Sequence, residues 1–486
     1  MSQEVANLEP KSLWKNFADL NAVPRPSKKE ERVIAFMKEF GENLGLETKV
    51  DEVGNVLISK PATAGLEDRQ KVALQAHLDM VHQKNSDTDF DFDTEGIKMY
   101  VDGDWVKAKG TTLGADNGIG VATMMAILES DDIAHPALEC LFTIDEETGM
   151  TGAFGLKPGF LSADILLNLD TEDDDELTIG CAGGVNVNAT GKYQQEESSI
   201  PEVSLQIELS GLNGGHSGMD IHKGYGNANK LNNRLLSAAM EEGDIRIVEI
   251  DGGGLRNAIP RESKVIFYCA APEKDAIIKA IEAEFDKIKA EYALTDPKMK
   301  LTWNLIERAG SAASVEFSKK FITAIYAVLS GVYRMSPSLE NTVQSSNNLS
   351  QIILKDGEFN CLCLTRSSVE SEKAEVVKSL EAAFSIIGAE VSTDGDYPGW
   401  TPATDSEILK LMEALYREKF KSEPRVMAGH GGLECGIIGS NYPDLDMVSF
   451  GPNIRGAHSP DECCQISSVQ KYWDYLLDAL KRIPKK

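Results

Sequence analysis

The sequence has no apolar run near the roughly 18 residues that a membrane-spanning helix needs, and its opening, MSQEVANLEP, lacks the basic and apolar regions of a secretory signal. A cytoplasmic protein with no membrane partner is the expectation. Positive charge is scarce: 49 Lys and Arg stand against 77 Asp and Glu, a formal charge of -28. Such a surface repels phosphate backbones, so nucleic acid is excluded as a partner. The eight cysteines form no CxxC pair and no disulfide-like framework, and they read as reduced, mostly buried thiols. Cys361 and Cys363 alternate with Leu362 and Leu364, as small apolar residues on one strand face would.

At 486 residues with 42% hydrophobic content, the chain is long enough for two to three domains. The N-terminal part reads as an α/β layer. Ser27 and Glu30 match a capping box, and Val33, Phe36, Met37, Phe40 and Leu44 recur at helical spacing behind it. Short apolar runs at 55–59, 72–81, 138–144 and 164–169, with a helix over 119–128, predict a mainly parallel sheet with helices on its faces. From about 187 to 394 the pattern changes to amphipathic strands and long charged helices, an α+β domain inserted into the first. Its order of strand, helix, strand, strand, helix occurs twice, the second pass opening at LTWNL (301–305), which predicts two similar lobes. After GDYPGWTP the chain returns to the first domain over 395–486, with helices over 408–420 and 469–480 and a strand at MVSF. The acidic stretches DTDFDFDTE (87–95) and TEDDDE (171–176) read as solvated loops.

The informative residues are acids and histidines placed where apolar runs stop. QAHLDMV puts His77 and Asp79 two apart at a strand end, so both side chains point to one side, one able to ligate a metal and the other to buttress it. GADNG places Asp116 in a glycine-flanked turn before a helix, TIDEETG places Glu146 and Glu147 just past a strand, and LLNLD places Asp170 at another strand end. In open α/β sheets ligands bind outside the carboxyl ends of the strands, where these side chains would converge. Carboxylates gathered in one crevice raise each other's pKa unless cations neutralise them. Mixed imidazole and carboxylate donors suit zinc, and also cobalt or manganese.

HLDMV, TLGADNG, TIDEETGM, NLDTED, GGHSG, RNAIPRE, HGGLECG and GPNIRGAHSPDE, in this order between about 8 and 484, resemble the motifs of the co-catalytic zinc peptidases that include aminoacylases and glutamate carboxypeptidases. The resemblance implies two divalent ions per chain, zinc foremost: His77 and Asp170 on one, Glu147 and His458 on the other, Asp116 bridging both. It implies that Glu146 is the general base and that Asp79 orients His77. One carboxylate cannot serve as ligand and base at once, and the doublet offers one residue for each task. In the inserted domain, a lid over the substrate, the resemblance makes His216 a donor to the developing oxyanion, with Asn257 and Arg366 as further substrate contacts. Without it, a turn histidine and a surface arginine are the simpler readings. HGGLECG departs mildly from the family's HAGLECG at Gly431.

The implied activity is hydrolysis of small dipeptides, foremost aminoacyl-histidine dipeptides including β-alanyl-histidine, by a homodimer or by a chain whose two-lobed lid completes the site in cis. Two alternatives remain: another amidohydrolase of the same family (tripeptidase, deacetylase or carboxypeptidase), and a peptide-binding protein that kept the fold without the chemistry. A serine or cysteine nucleophile finds no convincing strand-to-helix elbow and no activating partner in this sequence.

Overall fold

The computed structural model describes residues 3–197, 201–307 and 310–486. The chain forms two compact units, one built from Met1–Gly180, Pro402–Ala428 and Leu433–Lys486, the other from Cys181–Thr401 and Gly429–Gly432. The sequence pattern divides it instead at 186 and 394. The difference arises because Gly183–Lys192 is already a strand of the second unit, paired with Glu358–Ser367 on one side and with Glu390–Tyr397 on the other. Its opening glycines carry no apolar signal that would mark a strand.

The first unit is organised by an eight-stranded sheet in the order Glu47–Val50, Val56–Lys60, Leu138–Thr143, Val72–His77, Ile165–Asn168, Asp446–Ser449, Glu176–Cys181, Arg425–Gly429. The four strands from Leu138–Thr143 to Asp446–Ser449 are parallel neighbours, while pairing at the Val56–Lys60 side is antiparallel. Every residue of Val72–His77, Leu138–Thr143 and Ile165–Asn168 is buried, as a parallel sheet covered on both faces requires. The helix Ala115–Glu129 is buried all round from Asn117 to Leu128. Ile466–Arg482 buries Val469, Tyr472, Trp473, Leu476 and Leu480 from one stripe, each such side chain contributing about 1.5–3 kcal/mol.

Two local expectations fail. The helix Glu31–Asn43 starts after Ser27 and has no side-chain cap, because the Ser27 hydroxyl donates to the Met80 carbonyl and Glu30 accepts from the Lys28 N–H. The 171–176 stretch is tied down by basic partners: Asp173 to Arg425 and Arg455, Asp174 to Lys471, and Asp175 to Arg425. The thiols behave as the sequence suggests: the cysteines form no disulfide and all but Cys463 are buried. Among the described residues no helix is long and apolar enough to cross a membrane.

The second unit carries a nine-stranded sheet in the order Lys300–Ile306, Glu202–Ser210, Ser263–Ala270, Ile245–Gly253, Val343–Lys355, Glu358–Ser367, Gly183–Lys192, Glu390–Tyr397, with Gly331–Met335 also on Val343–Lys355. The helices Ala228–Glu242, Lys274–Glu291, Val315–Ala327 and Glu370–Ser385 share one core on it, including Leu235, Ile281, Phe321, Phe359 and Leu380. Asn227 caps the first of these helices by accepting from the Asn229 and Lys230 N–H groups. The two lobes therefore merge into one sheet around one core. LTWNL does not open the second half; it pairs at the far edge with Glu202–Ser210, and Gly183–Lys192 takes the place beside Glu358–Ser367.

One polar feature crosses the interior of the first sheet. Gln75 Nε2 donates to Thr143 Oγ1 at 3.0 Å and to Glu434 Oε2 at 2.7 Å, Thr143 donates to the same Glu434 oxygen at 2.6 Å, and Asn168 Nδ2 donates to Gln75 Oε1 at 2.6 Å. Ser449 closes the row on Asn168 and Thr171. Thr143, Gln75, Asn168 and Ser449 lie on adjacent parallel strands just below the strand ends that carry His77, Glu146 and Asp170, and Glu434 reaches them from the helix Glu434–Asn441. Burial pushes the Glu434 carboxyl up to about 7; His77 and the Thr143 hydroxyl oppose the shift, and Asp170 and Asp79 add to it. A carboxyl raised in this way stabilises the fold below the ordinary carboxylate range and loses that contribution as pH rises through its folded value. In chelated protein, the unfolding free energy of the wild type should fall relative to Glu434→Gln between about pH 5 and about pH 8, by at most about 3 kcal/mol, read as a falling difference between their thermal midpoints. Parallel midpoint-against-pH curves for the two proteins would refute the shift.

Candidate active site

The segment that carries Asp116 is held from two sides by a buried guanidinium and a buried carboxyl group. Arg25 is buried, and its guanidinium donates to the carbonyls of Leu78, Asp79 and Gly114 and to Asn21 Oδ1. Gly114 has φ +69°, and a Cβ there would lie 2.5 Å from Arg25 Nη2; at Gly118 it would lie 2.6 Å from the same atom. The two glycines of TLGADNG thus make the slot that admits the guanidinium. Burial lowers Arg25 to about 10, which leaves it charged near neutrality. From the other side, Glu462 accepts four backbone N–H groups: Leu113 at 2.7 Å and Gly114 at 2.9 Å on Oε2, Ala115 at 2.7 Å and Asp116 at 3.2 Å on Oε1.

Asp116 then presents one oxygen to each of two groups. Its Oδ1 lies 3.1 Å from His77 Nε2, which is also 3.5 Å from Asp170 Oδ1. Its Oδ2 lies 3.3 Å from His458 Nε2, which is 2.9 Å from Glu147 Oε2. In each of the sets His77, Asp116, Asp170 and Asp116, Glu147, His458, one potential ligand atom per residue lies within 4.8 Å of the others, and His77, Glu146 and Glu147 form a further such set. Asp79 stands behind them: its Oδ1 is 3.4 Å from His77 Nδ1 and accepts the Glu146 N–H at 3.0 Å, while Oδ2 accepts the Glu147 N–H at 3.3 Å. The Asn117 amide donates to the Leu169 carbonyl at 3.1 Å and to Asp170 Oδ1, tying the helix start to the Asp170 strand end.

Electrostatics in this cluster are dominated by acids. Burial resists protonation of His77, yet Asp170, Asp116 and Asp79 outweigh it and raise the imidazole well above its ordinary value. Hydrogen bonds to Asp116 and Glu147 raise His458 to about 11. Burial pushes Glu146 well above the usual carboxylate range against the pull of His77, with Asp170, Glu434 and Glu147 adding repulsion. Glu147 and Asp170 are also raised, by burial first. Burial opposes the charge on Asp116, but both imidazoles hold its carboxyl low. The acids thus require positive charge, which the two imidazolium rings supply in the absence of cations. Glu147 Oε1 is buried without a hydrogen-bond partner. An acid-rich set of imidazole and carboxylate donors with an orphaned carboxylate oxygen fits two divalent ions.

A separate cluster lies in the second unit. His216 Nδ1 accepts the Gly218 N–H at 3.2 Å and the Met219 N–H at 3.1 Å, which leaves the ring hydrogen on Nε2. Burial and the charge of Arg366 keep His216 below its ordinary value, and burial followed by Arg366 lowers His430 to about 3, so both rings are neutral near pH 7. Arg366 is buried, with Nη1 donating to the Tyr397 hydroxyl at 2.9 Å. It is therefore not the surface arginine of the simpler reading. His430 pairs with Ser346 at 2.7 Å. Asn257 is exposed, and its carbonyl accepts the Ser217 N–H at 2.8 Å. His135 is buried with Nδ1 2.7 Å from the Pro136 carbonyl, and His82 packs edge-on to Phe92.

The sequence pattern points to the donors but passes over their supports. Arg25, Gln75, Asn168, Glu434 and Glu462 have no spacing that distinguishes them from ordinary polar residues. Glu434 and Glu462 at least stand inside HGGLECG and GPNIRGAHSPDE.

Comparison with known proteins now adds to this geometry. Residues 73–482 match the model of Peptidase family M20/M25/M40. The chain is 41% identical over 483 residues to the cytosol non-specific dipeptidase of Escherichia coli (strain K12), covering 99% of this chain and 100% of the relative. It superposes on the solved structure of aminoacylhistidine dipeptidase from Vibrio alginolyticus with a TM-score of 0.95 and 42% identity over 99% of each chain. Aminopeptidase PepT from Bacillus cereus, at 15% identity and a TM-score of 0.57 over 98% of this chain and 99% of its own, shares the fold. The chain belongs to Peptidase family M20/M25/M40, and it is a hydrolase with the mixed α/β fold of that family.

Proposed function

We propose that this hydrolase is a two-metal dipeptidase. The observation that carries the reading is Asp116, whose two oxygens face two histidine-carboxylate groups, His77 with Asp170 and His458 with Glu147. In this reading His77, Asp116 and Asp170 hold one divalent ion, and Asp116, Glu147 and His458 hold the other. Zinc is the metal that suits these donors best, with cobalt and manganese able to replace it. Such ions supply Lewis acidity toward a peptide carbonyl and make an attacking water more acidic.

The chain's own groups do the rest. Glu146 accepts the proton of the attacking water on a carboxylate oxygen and returns it to the departing amine nitrogen. Burial, with the added repulsion of Asp170, Glu434 and Glu147, supports this role, since it favours the protonated form that the base must reach midway. Asp79 keeps His77 in orientation and holds the Glu146 and Glu147 backbone, so that the base and a ligand stay in register. In the second unit, the Nε2–H of His216 suits a carbonyl or oxyanion oxygen, and the Arg366 guanidinium suits a substrate carboxylate. Asn257 is a further substrate contact in this reading.

The substrates are small dipeptides. The Vibrio alginolyticus relative is named for aminoacyl-histidine, which supports a preference for Xaa-His dipeptides, β-alanyl-histidine among them. The Escherichia coli relative is named non-specific, which favours a second reading with broader dipeptide choice. Its name also supports work in the cytosol.

Chelated protein should be inactive and regain dipeptide hydrolysis near two equivalents of zinc, cobalt or manganese. Among β-alanyl-histidine, glycyl-histidine and dipeptides without histidine, those ending in histidine should be cleaved fastest; equal rates would select the broader reading, and cleavage confined to other amides would remove the dipeptidase assignment. Glu146→Gln should lower kcat by about 10²–10⁴ while both metal equivalents stay bound. Near-normal turnover in that variant would eliminate Glu146 as the base. Asp79→Asn should weaken metal binding by about 10–100-fold, which calorimetric titration reads directly; unchanged affinity would leave Asp79 without an orienting role.

A further inference from the structure

His458 is the donor with the least support from regular structure. It sits in a turn between Ile454–Arg455 and Cys463–Gln465, its φ is +63°, and its side chain is 56% exposed. A non-glycine residue in the left-handed region costs on the order of 1 kcal/mol or more, and it persists only where its surroundings fix it. Inside the turn, the Ser459 hydroxyl donates to the Gly456 carbonyl at 2.8 Å and the Glu462 N–H donates to the Ser459 carbonyl at 3.0 Å. Beyond the turn, the fixation comes from Glu462. This side chain, 2% exposed, carries no ion pair among the described residues and spends both oxygens on the four consecutive N–H groups of Leu113, Gly114, Ala115 and Asp116. One carboxylate therefore joins the turn that presents His458 to the segment that presents Asp116, although 346 residues separate Glu462 from Asp116.

We propose that Glu462 is a positioning residue that locks the His458 turn to the Asp116 segment and thereby sets the second donor group, Asp116, Glu147 and His458, apart from the first. This rests on the two-metal reading above. The first group draws His77 and Asp170 from strand ends that the sheet itself fixes and shares only Asp116 with the locked segment, which Arg25 also holds at Gly114, so it depends less on the lock. The second group takes Asp116 from the locked segment and Glu147 from a backbone that Asp79 holds, but its His458 comes from a strained turn that Glu462 joins to Asp116. Loss of the lock is therefore felt at one ion and not equally at both. Replacement by Gln leaves one acceptor oxygen and turns an amide N–H₂ toward N–H groups, whereas Asp keeps the charge and both oxygens but draws them back by one methylene.

The test is titration of chelated wild type, Glu462→Gln and Glu462→Asp with Co²⁺, followed by calorimetry and by the visible spectrum of the bound ion. Val469→Ala serves as a control that thins the core under the helix Ile466–Arg482. Wild type should take up two equivalents. Glu462→Gln should bind one with near wild-type affinity and the other about 10–100-fold more weakly, with an altered Co²⁺ spectrum. Glu462→Asp should show the same selective loss to a smaller degree, and it carries the test if the Gln variant does not fold. Val469→Ala should lower the thermal midpoint and leave both equivalents intact. Two equivalents bound with wild-type affinity and spectrum in a folded Glu462 variant, or a uniform weakening of both, would overturn the proposal while leaving the two-metal reading standing. A wild type that takes up fewer than two equivalents would overturn that reading and the proposal with it.

Discussion

Mutual repulsion among buried carboxyl groups is the constraint around which the first unit is arranged. Asp116, Glu146, Glu147 and Asp170 meet at the strand ends, with Asp79, Glu434 and Glu462 buried close behind them. A protein interior tolerates such a gathering only where each charge is matched by hydrogen bonds, by opposite charge or by a bound proton. The supporting architecture answers that demand group by group. Glu462 receives four N–H groups, Asp79 receives two N–H groups and an imidazole, and Glu434 receives an amide and a hydroxyl. One oxygen of Glu147, among the residues that face one another, and one of Glu434 behind them stay buried with no partner among the described residues.

The sheet converts this local need into a global one. Gln75, Thr143, Asn168 and Ser449 lie on four neighbouring parallel strands and hydrogen-bond from strand to strand, at positions where an apolar core would otherwise be continuous. A polar row of this kind costs desolvation, and it is tolerated because its members satisfy one another. In return the strand ends cannot slide independently, which keeps His77, Glu146 and Asp170 at a fixed mutual spacing. Arg25 applies the same logic to the connections: one buried cation gathers carbonyls from the segment after His77 and from the residue before Ala115.

Of the residues gathered in the candidate site, His77, Asp116, Glu146, Glu147 and Asp170 stood out in the sequence because their signal is local, whereas His458 entered only through the resemblance of its motif. An acid or histidine directly after an apolar run is visible without knowing which strands pair. Their supports were not legible, since Gln75 and Asn168 are lone polar residues inside strands and acquire meaning only when those strands become neighbours. Ser27 shows the opposite failure, where a strong local pattern lost to a tertiary partner, the Met80 carbonyl. In the second unit the alternation of strands and helices was foreseen, but Gly183–Lys192, Gly331–Met335 and Glu390–Tyr397 were not expected as strands. The joining of two expected lobes into one sheet was not foreseen either, because the placement of Lys300–Ile306 beside Glu202–Ser210 is a long-range pairing that no periodicity encodes. Without the resemblance Arg366 would read as superficial for a similar reason: its partner, the Tyr397 hydroxyl, comes from a strand on the far side of Gly183–Lys192.

The pairing of Gly183–Lys192 with Glu390–Tyr397 has an evolutionary side. Gly184 is opposite Tyr397, and Cys181 forms a bridge with Trp400, so the long segment Cys181–Thr401 of the second unit begins and ends side by side. A segment whose two ends are adjacent can be lengthened, shortened or exchanged as a cassette without rethreading the host, since a short turn would close the gap it leaves. Diversification of the inserted unit and preservation of the host sheet are thereby separable events, and a lineage can rewrite one while inheriting the other unchanged.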